Sequence, residues 1–132
     1  MPARILIAED HPPSLELMRY LLGAHGYPTL SASNGREALD LARQERPDLI
    51  ICDLQMPDVD GYGVVRELKQ DDDLRGVPLL AVTAFSMLGD REDALRAGFD
   101  GYFSKPIEPE NFVAAIEQFL PAALRASRNN GG

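Results

Sequence analysis

A chain of 132 residues, 45% hydrophobic and 26% charged, has the composition of one globular domain and can bury a core without disulfides or structural metal. Its single cysteine, Cys52, lies in the apolar run LIICDL, which rules out an internal disulfide and suits a buried, inert thiol in a reducing compartment. A net charge of −8 opposes direct nucleic-acid binding, no apolar run is long enough for membrane insertion, and the N-terminus lacks the apolar stretch of a signal peptide, so a cytoplasmic domain is expected.

Apolar runs and amphipathic stretches alternate along the chain. RILIAE (4–9) reads as a short buried strand. Pro12 and Pro13 suit the first turn of a helix, where their missing N–H groups cost nothing; Leu15, Met18 and Leu22 form its stripe and Gly26 a left-handed end. PTLSAS (28–33) reads as a second strand, and Asn34 with Glu37 resembles a capping box before the helical face of Ala38, Leu41 and Ala42.

PDLIICD (47–53) is the strongest strand. Past the loop LQMPDVDG, in which Pro57, Asp58 and Gly61 shape the turn and Asp60 caps a helix, YGVVRELKQ (62–70) buries Val64, Val65 and Leu68. QDDDL reads as a solvated stretch, VPLLAVT (77–83) as strand four, and SMLGDREDALRAG (86–98) as a weaker helix ending at Gly98. FDGYFSK (99–105) carries strand five, and PIEPENFVAAIEQFL (106–120) a last helix with Phe112, Ile116, Phe119 and Leu120 on one face. Residues 1–122 form the expected domain, and the polar, Gly-ended 123–132 a disordered tail.

Five strands alternating with five helices through short connections imply an α/β fold, a doubly wound five-stranded parallel sheet. The strands stop on polar residues: Glu9 and Asp10, Asp53, Thr83 and Lys105. In strand order 2-1-3-4-5 the order reverses between strands one and three, where such sheets bind ligands, and Glu9, Asp10 and Asp53 would meet there. Three neighbouring carboxylates repel one another unless a cation intervenes, and an all-oxygen set without His or Cys favours Mg²⁺ over zinc. A lysine and a hydroxyl opposite suggest an anion site. Together these are the parts of phosphoryl transfer, in which an aspartate can itself be the nucleophile.

AED after strand one, DLQMPDVDG after strand three, VTA after strand four and SKP after strand five together resemble the response-regulator receiver domains of the CheY-like superfamily, over residues 3–122. The resemblance implies a flavodoxin/CheY-like (βα)5 fold and a signalling switch that catalyses only its own phosphorylation and dephosphorylation. It makes Asp53 the phosphoacceptor and gives Mg²⁺, or Mn²⁺ as a substitute, to Glu9, Asp10, Asp53 and the Gln55 backbone carbonyl. Thr83 would contact the phosphoryl group and move on activation, Lys105 would pair with that group, and Tyr102 matches the aromatic switch position. Ala84 matches the small residue that leaves room for a donor, and the Lys105–Pro106 bond is expected to be cis.

The implied partners are a sensor histidine kinase or histidine phosphotransfer protein upstream, and a protein target that meets the face of helix four, strand five and helix five. VTAFSMLGDRE resembles both DivK-like single-domain regulators and hybrid-kinase receivers. No output domain is expected after helix five, and the initial Met favours a stand-alone regulator over a piece of a hybrid kinase. A haloacid-dehalogenase-type phosphatase would carry D-x-D after its first strand, whereas Asp53 follows the third and Gln55 stands two residues on. A phosphorylation-independent interaction domain would not need the acidic, Thr and Lys positions. His11 reads as a surface loop residue, His25 as a helix C-terminal dipole partner, and Met56 and Met87 as packing or interface residues.

Overall fold

The computed structural model describes residues 2–84 and 87–125. Along the chain run β1 (Ile5–Ala8), α1 (Pro12–Ala24), β2 (Thr29–Ala32), α2 (Gly35–Glu45), β3 (Leu49–Asp53), α3 (Gly61–Lys69), β4 (Leu79–Thr83), α4 (Asp90–Ala97), β5 (Gly101–Ser104) and α5 (Pro109–Glu117). The strands form one sheet in the order β2-β1-β3-β4-β5, and every pairing is parallel. The expected doubly wound CheY-like architecture and its strand order are both borne out.

Strand side chains point alternately to opposite faces, so a continuous apolar run buries residues on both. Ile5, Ile7, Leu49, Ile51, Leu80 and Val82 pack with Met18 and Leu22 of α1 and with Phe112 and Ile116 of α5. Leu6, Ile50, Cys52 and Leu79 pack on the other face with Ala38 and Ala42 of α2 and with Val64, Val65 and Leu68 of α3. Each large aliphatic side chain removed from water this way contributes roughly 1.5–3 kcal/mol.

The local signals mostly act as expected. Asn34 Oδ1 accepts the Glu37 N–H at 2.8 Å, but Glu37 Oε1 reaches back to the Ser33 N–H, also at 2.8 Å, one residue earlier than in the usual capping box. Gly26 takes a left-handed φ of 91° after α1, and His25 Nδ1 lies 3.0 Å from the Leu21 carbonyl at the helix end. Strand three starts at Leu49, two residues later than expected: Asp48 still donates its N–H to the Arg4 carbonyl at 2.8 Å, but the Arg4 N–H is taken at 2.9 Å by the Asp48 carboxylate in place of a ladder carbonyl.

Two boundaries differ further. The expected helix over 86–98 begins only at Asp90, because Gly89 has φ 91° and Asp90 Oδ2 accepts the Met87 N–H at 2.7 Å, closing a turn instead of a helix; Ser86 lies outside the described residues. At the other end Ala122–Leu124 form a 3₁₀ turn whose Leu124 carbonyl accepts the Ala3 N–H at 2.9 Å. Of the expected tail, residues 126–132 lie outside the described residues.

Candidate functional site

Asp53 is the last residue of β3 and Thr83 the last of β4, while Glu9 and Lys105 each follow the end of a strand by one residue. Ala8 is paired with Cys52, so Glu9 comes level with Asp53 across the β1–β3 pair. Helix α1 leaves this point on one face of the sheet and α3 on the other, which opens a cleft above the strand ends.

Glu9 and Asp53 are buried and Asp10 is exposed, yet one carboxylate oxygen from each lies within 4.8 Å of the others. The Lys105 ammonium stands 3.0 Å from Asp53 Oδ2 as a hydrogen-bond donor and 2.7 Å from Glu9 Oε1. That second contact is an ion pair without hydrogen-bond alignment, so the buried Glu9 Oε1 has no hydrogen-bond partner among the described residues. The other Asp53 oxygen, Oδ1, accepts the Gln55 N–H at 2.9 Å. The Lys105 N–H donates to the Thr83 carbonyl at 2.8 Å and ties the β5 loop to the end of β4.

The loop after β3 folds back tightly. The Gly61 N–H donates to the Leu54 carbonyl, and a Cβ on Gly61 would stand 2.7 Å from the Asp53 carbonyl oxygen and 2.8 Å from Leu54 Cα. Only glycine lets α3 start so close to the strand end. Asp60 Oδ1 caps α3 by accepting the Gly63 N–H at 2.9 Å, and Asp58 takes a left-handed φ of 66°. These two aspartates shape the loop, as expected, and stand outside the acidic cluster.

Burial and the neighbouring Asp53 carboxylate push Glu9 up to about 7 from an ordinary value of 4.5; Lys105 and the His11 N–H pull it only partly back. Burial lowers the Lys105 pKa, but its contacts with Glu9 and Asp53 outweigh that, and the ammonium is held above its ordinary range. The cluster is therefore short of positive charge at neutral pH. Its donors are all oxygens, and one buried oxygen lacks a hydrogen bond, a combination that fits a hard divalent cation such as Mg²⁺. Cys52 is fully buried, and burial raises its thiol far above the ordinary range, as its apolar neighbours imply.

The cleft encloses about 690 Å³ and brings together Asp10, Asp53, Gln55, Ala84, Lys105 and Pro106. The Lys105–Pro106 peptide bond is cis. Tyr102 is half-buried and does not line this cleft; it lines a neighbouring groove of about 500 Å³ with Phe103 and Phe112, and the two share Lys105 and Pro106. Sequence reasoning left His11 in a surface loop. The structure sets it, with Pro12 and Ser14, in the wall of the cleft. Its position directly after the Glu9–Asp10 pair was the available signal.

Comparison with known proteins agrees with this geometry. Residues 5–117 match the family described as the response regulator receiver domain. The chain is 48% identical over 120 residues to the polar-differentiation response regulator DivK of Brucella anthropi, covering 91% of this chain and 98% of that protein. The DivK of Brucella ovis is 44% identical over the same shares of both chains. Among solved structures, the receiver domain of the sensor histidine kinase PA1611 from Pseudomonas aeruginosa, with a magnesium ion coordinated in its active site cleft, is 31% identical with a TM-score of 0.82 over 90% of this chain and 98% of that one. The chemotaxis protein CheY4 of Vibrio cholerae is 27% identical, with a TM-score of 0.85 over 91% of this chain and all of that one, 100%. The chain belongs to the response regulator receiver domains of two-component signalling.

Proposed function

We propose that this receiver is switched by a phosphoryl group carried on Asp53, accepted from a phosphohistidine of a sensor histidine kinase or histidine phosphotransfer protein. The observation that carries this reading is the position of Asp53: buried at the sheet's switch point, open to a cleft, and 3.0 Å from the Lys105 ammonium. An Asp53 oxygen attacks phosphorus as the donor's phosphorus–nitrogen bond breaks; water later releases phosphate, and no metabolite is turned over.

Glu9, Asp10, Asp53 and the Gln55 backbone carbonyl would hold Mg²⁺, with Mn²⁺ as a substitute. The ion neutralises charge on the transferring group. Lys105 supplies a second, fixed positive charge, and the Thr83 hydroxyl donates to a phosphoryl oxygen. Ala84 keeps the approach open, and Pro106 fixes the loop that carries Lys105.

A phosphoryl group adds negative charge and three strong acceptors where a carboxylate stood. Thr83 moves toward it and Tyr102 takes the space vacated, which alters the α4–β5–α5 face toward a downstream protein. Exposed Met87, Leu88 and Leu95 near and on α4 support this face as the docking surface. No helix among the described residues is long and apolar enough to cross a membrane, and the reducing environment that suits Cys52 supports a cytoplasmic site of action.

The test is intact mass after incubation with Mg²⁺ and acetyl phosphate. One added phosphoryl group is expected on the parent and none on Asp53→Asn; equal modification of both sinks the assignment. Omitting Mg²⁺, or changing Asp10 to Ala, suppresses the transfer, and undiminished transfer removes the metal role.

A further inference from the structure

We infer that His11 selects the phosphoryl donor: its ring forms a wall of the cleft against which the flat leaving group of a phosphorylated imidazole rests. This rests on Asp53 as the phosphoacceptor and concerns which donor is accepted, not how Asp53 accepts.

In-line transfer puts the leaving group opposite the attacking Asp53 oxygen, in the outer part of the cleft. At about 690 Å³ the cleft falls in the range of roughly 300–1,000 Å³ that holds drug-sized ligands, far more than a phosphoryl group fills. The donor's own shape is therefore read inside it. The charged lining residues, Asp10, Asp53 and Lys105, serve the phosphoryl end. Much of the remainder is flat or small: the rings of His11, Pro12 and Pro106 and the Ala84 methyl.

An exposed histidine ahead of a helix is most simply a solvated residue, but three restraints set this one in place. Pro12 confines the preceding residue to extended backbone, and His11 has φ −94° and ψ 107°. Its N–H donates to Glu9 Oε2 at 3.0 Å, and its Nδ1 lies 2.8 Å from Ser14 Oγ. A ring held this way loses little freedom when a second ring packs on it. In the transfer, the Asp53 oxygen–phosphorus bond forms as the phosphorus–nitrogen bond breaks. The donor ring, already protonated on its other nitrogen, leaves as neutral imidazole.

The test measures phosphorylation by intact mass for the parent, His11→Ala, His11→Phe and Ser14→Ala, each with Mg²⁺ and with phosphoimidazole, acetyl phosphate or phosphoramidate. His11→Ala is expected to lose about two- to tenfold in rate with phosphoimidazole, the size of one ring–ring contact, and less than about twofold with the two donors that lack a ring. His11→Phe, a flat ring without the Ser14 contact, and Ser14→Ala, which frees the ring, both fall between His11→Ala and the parent with phosphoimidazole. Equal losses with all three donors, or no loss with phosphoimidazole, overturn the inference while leaving Asp53 as acceptor. A parent that none of the donors phosphorylates overturns the proposed function, and the inference with it.

Discussion

The Lys105 ammonium lies 3.0 Å from Asp53 Oδ2 across 52 residues of sequence, and both groups are largely shielded from water. In this geometry one cation holds two buried carboxylates, those of Asp53 and Glu9. Lys105→Met leaves both unpaired. It is expected to lower stability by roughly 1–3 kcal/mol in urea denaturation with EDTA present, and to slow phosphorylation of Asp53 at least about tenfold. Unchanged stability in EDTA would mean that the contact carries no energy.

Asp53→Asn has the opposite sign. It is expected to abolish phosphorylation, and because it removes one of the clustered carboxylates its Tm in EDTA is expected to equal or exceed that of the parent. Adding Mg²⁺ narrows or reverses the difference, because the variant offers the ion one carboxylate fewer. A markedly lower Tm in EDTA contradicts the repulsion argument.

The raised Glu9 pKa makes stability depend on pH and on the metal. In the unfolded chain Glu9 ionises near its ordinary 4.5, whereas in the fold it holds its proton to about 7. The fold therefore binds more protons across that window. Glu9's contribution to stability falls as pH rises from 4.5 to about 7 and stays at its lowest above. Saturating Mg²⁺ is expected to raise Tm more at pH 8 than at pH 5, and Glu9→Gln to flatten the decline seen in EDTA. A larger Mg²⁺ effect at pH 5 contradicts this account.

Two glycines separate close approach from mere helix entropy. Gly61→Ala sets a Cβ 2.7 Å from the Asp53 carbonyl oxygen, a backbone atom that cannot swing aside, and is expected to cost about 1–3 kcal/mol and to slow phosphorylation. Gly23→Ala, inside α1 with no atom within 4 Å of the added carbon, is expected to stabilise by roughly 0.5–1 kcal/mol and leave phosphorylation unchanged. Urea midpoints of the two variants check the contrast.

Cys52 stands next to Asp53 but is fully buried with its thiol held protonated. Alkylation by iodoacetamide at pH 8 is expected to be negligible in the folded chain and complete in urea. Rapid labelling under native conditions would show that the β3 end opens readily.

Much of the architecture was legible because its signals are local. Continuous apolar runs marked β1, β3 and β4, and Asn34 and Asp60 marked helix starts through side chains that cap their own backbone. The reading failed where distant partners set a boundary or a contact. The Asp48 carboxylate takes the Arg4 N–H, Tyr27 is buried and its hydroxyl donates to Glu117 of α5, and the Leu124 carbonyl takes the Ala3 N–H. Those pairings join residues far apart in sequence, and no local pattern announces them.

At the site, the sequence alone determined which polar residues end the strands, because a buried strand tolerates Glu9, Asp53, Thr83 or Lys105 only at its end, where the cleft opens. It also made glycine the residue at the start of α3. Only the tertiary structure decided that Glu9 and Asp53 share one ammonium, that Glu9 Oε1 has no hydrogen-bond partner among the described residues, and that His11 lines the cleft. Those facts depend on strand order and register, which bring the carboxyl ends of β1, β3 and β5 to one end of the sheet. Order and register follow from packing the whole chain, because β1, β3 and β4 are buried along their whole length while β2 and β5 are only partly covered, and no single run states which neighbour it takes.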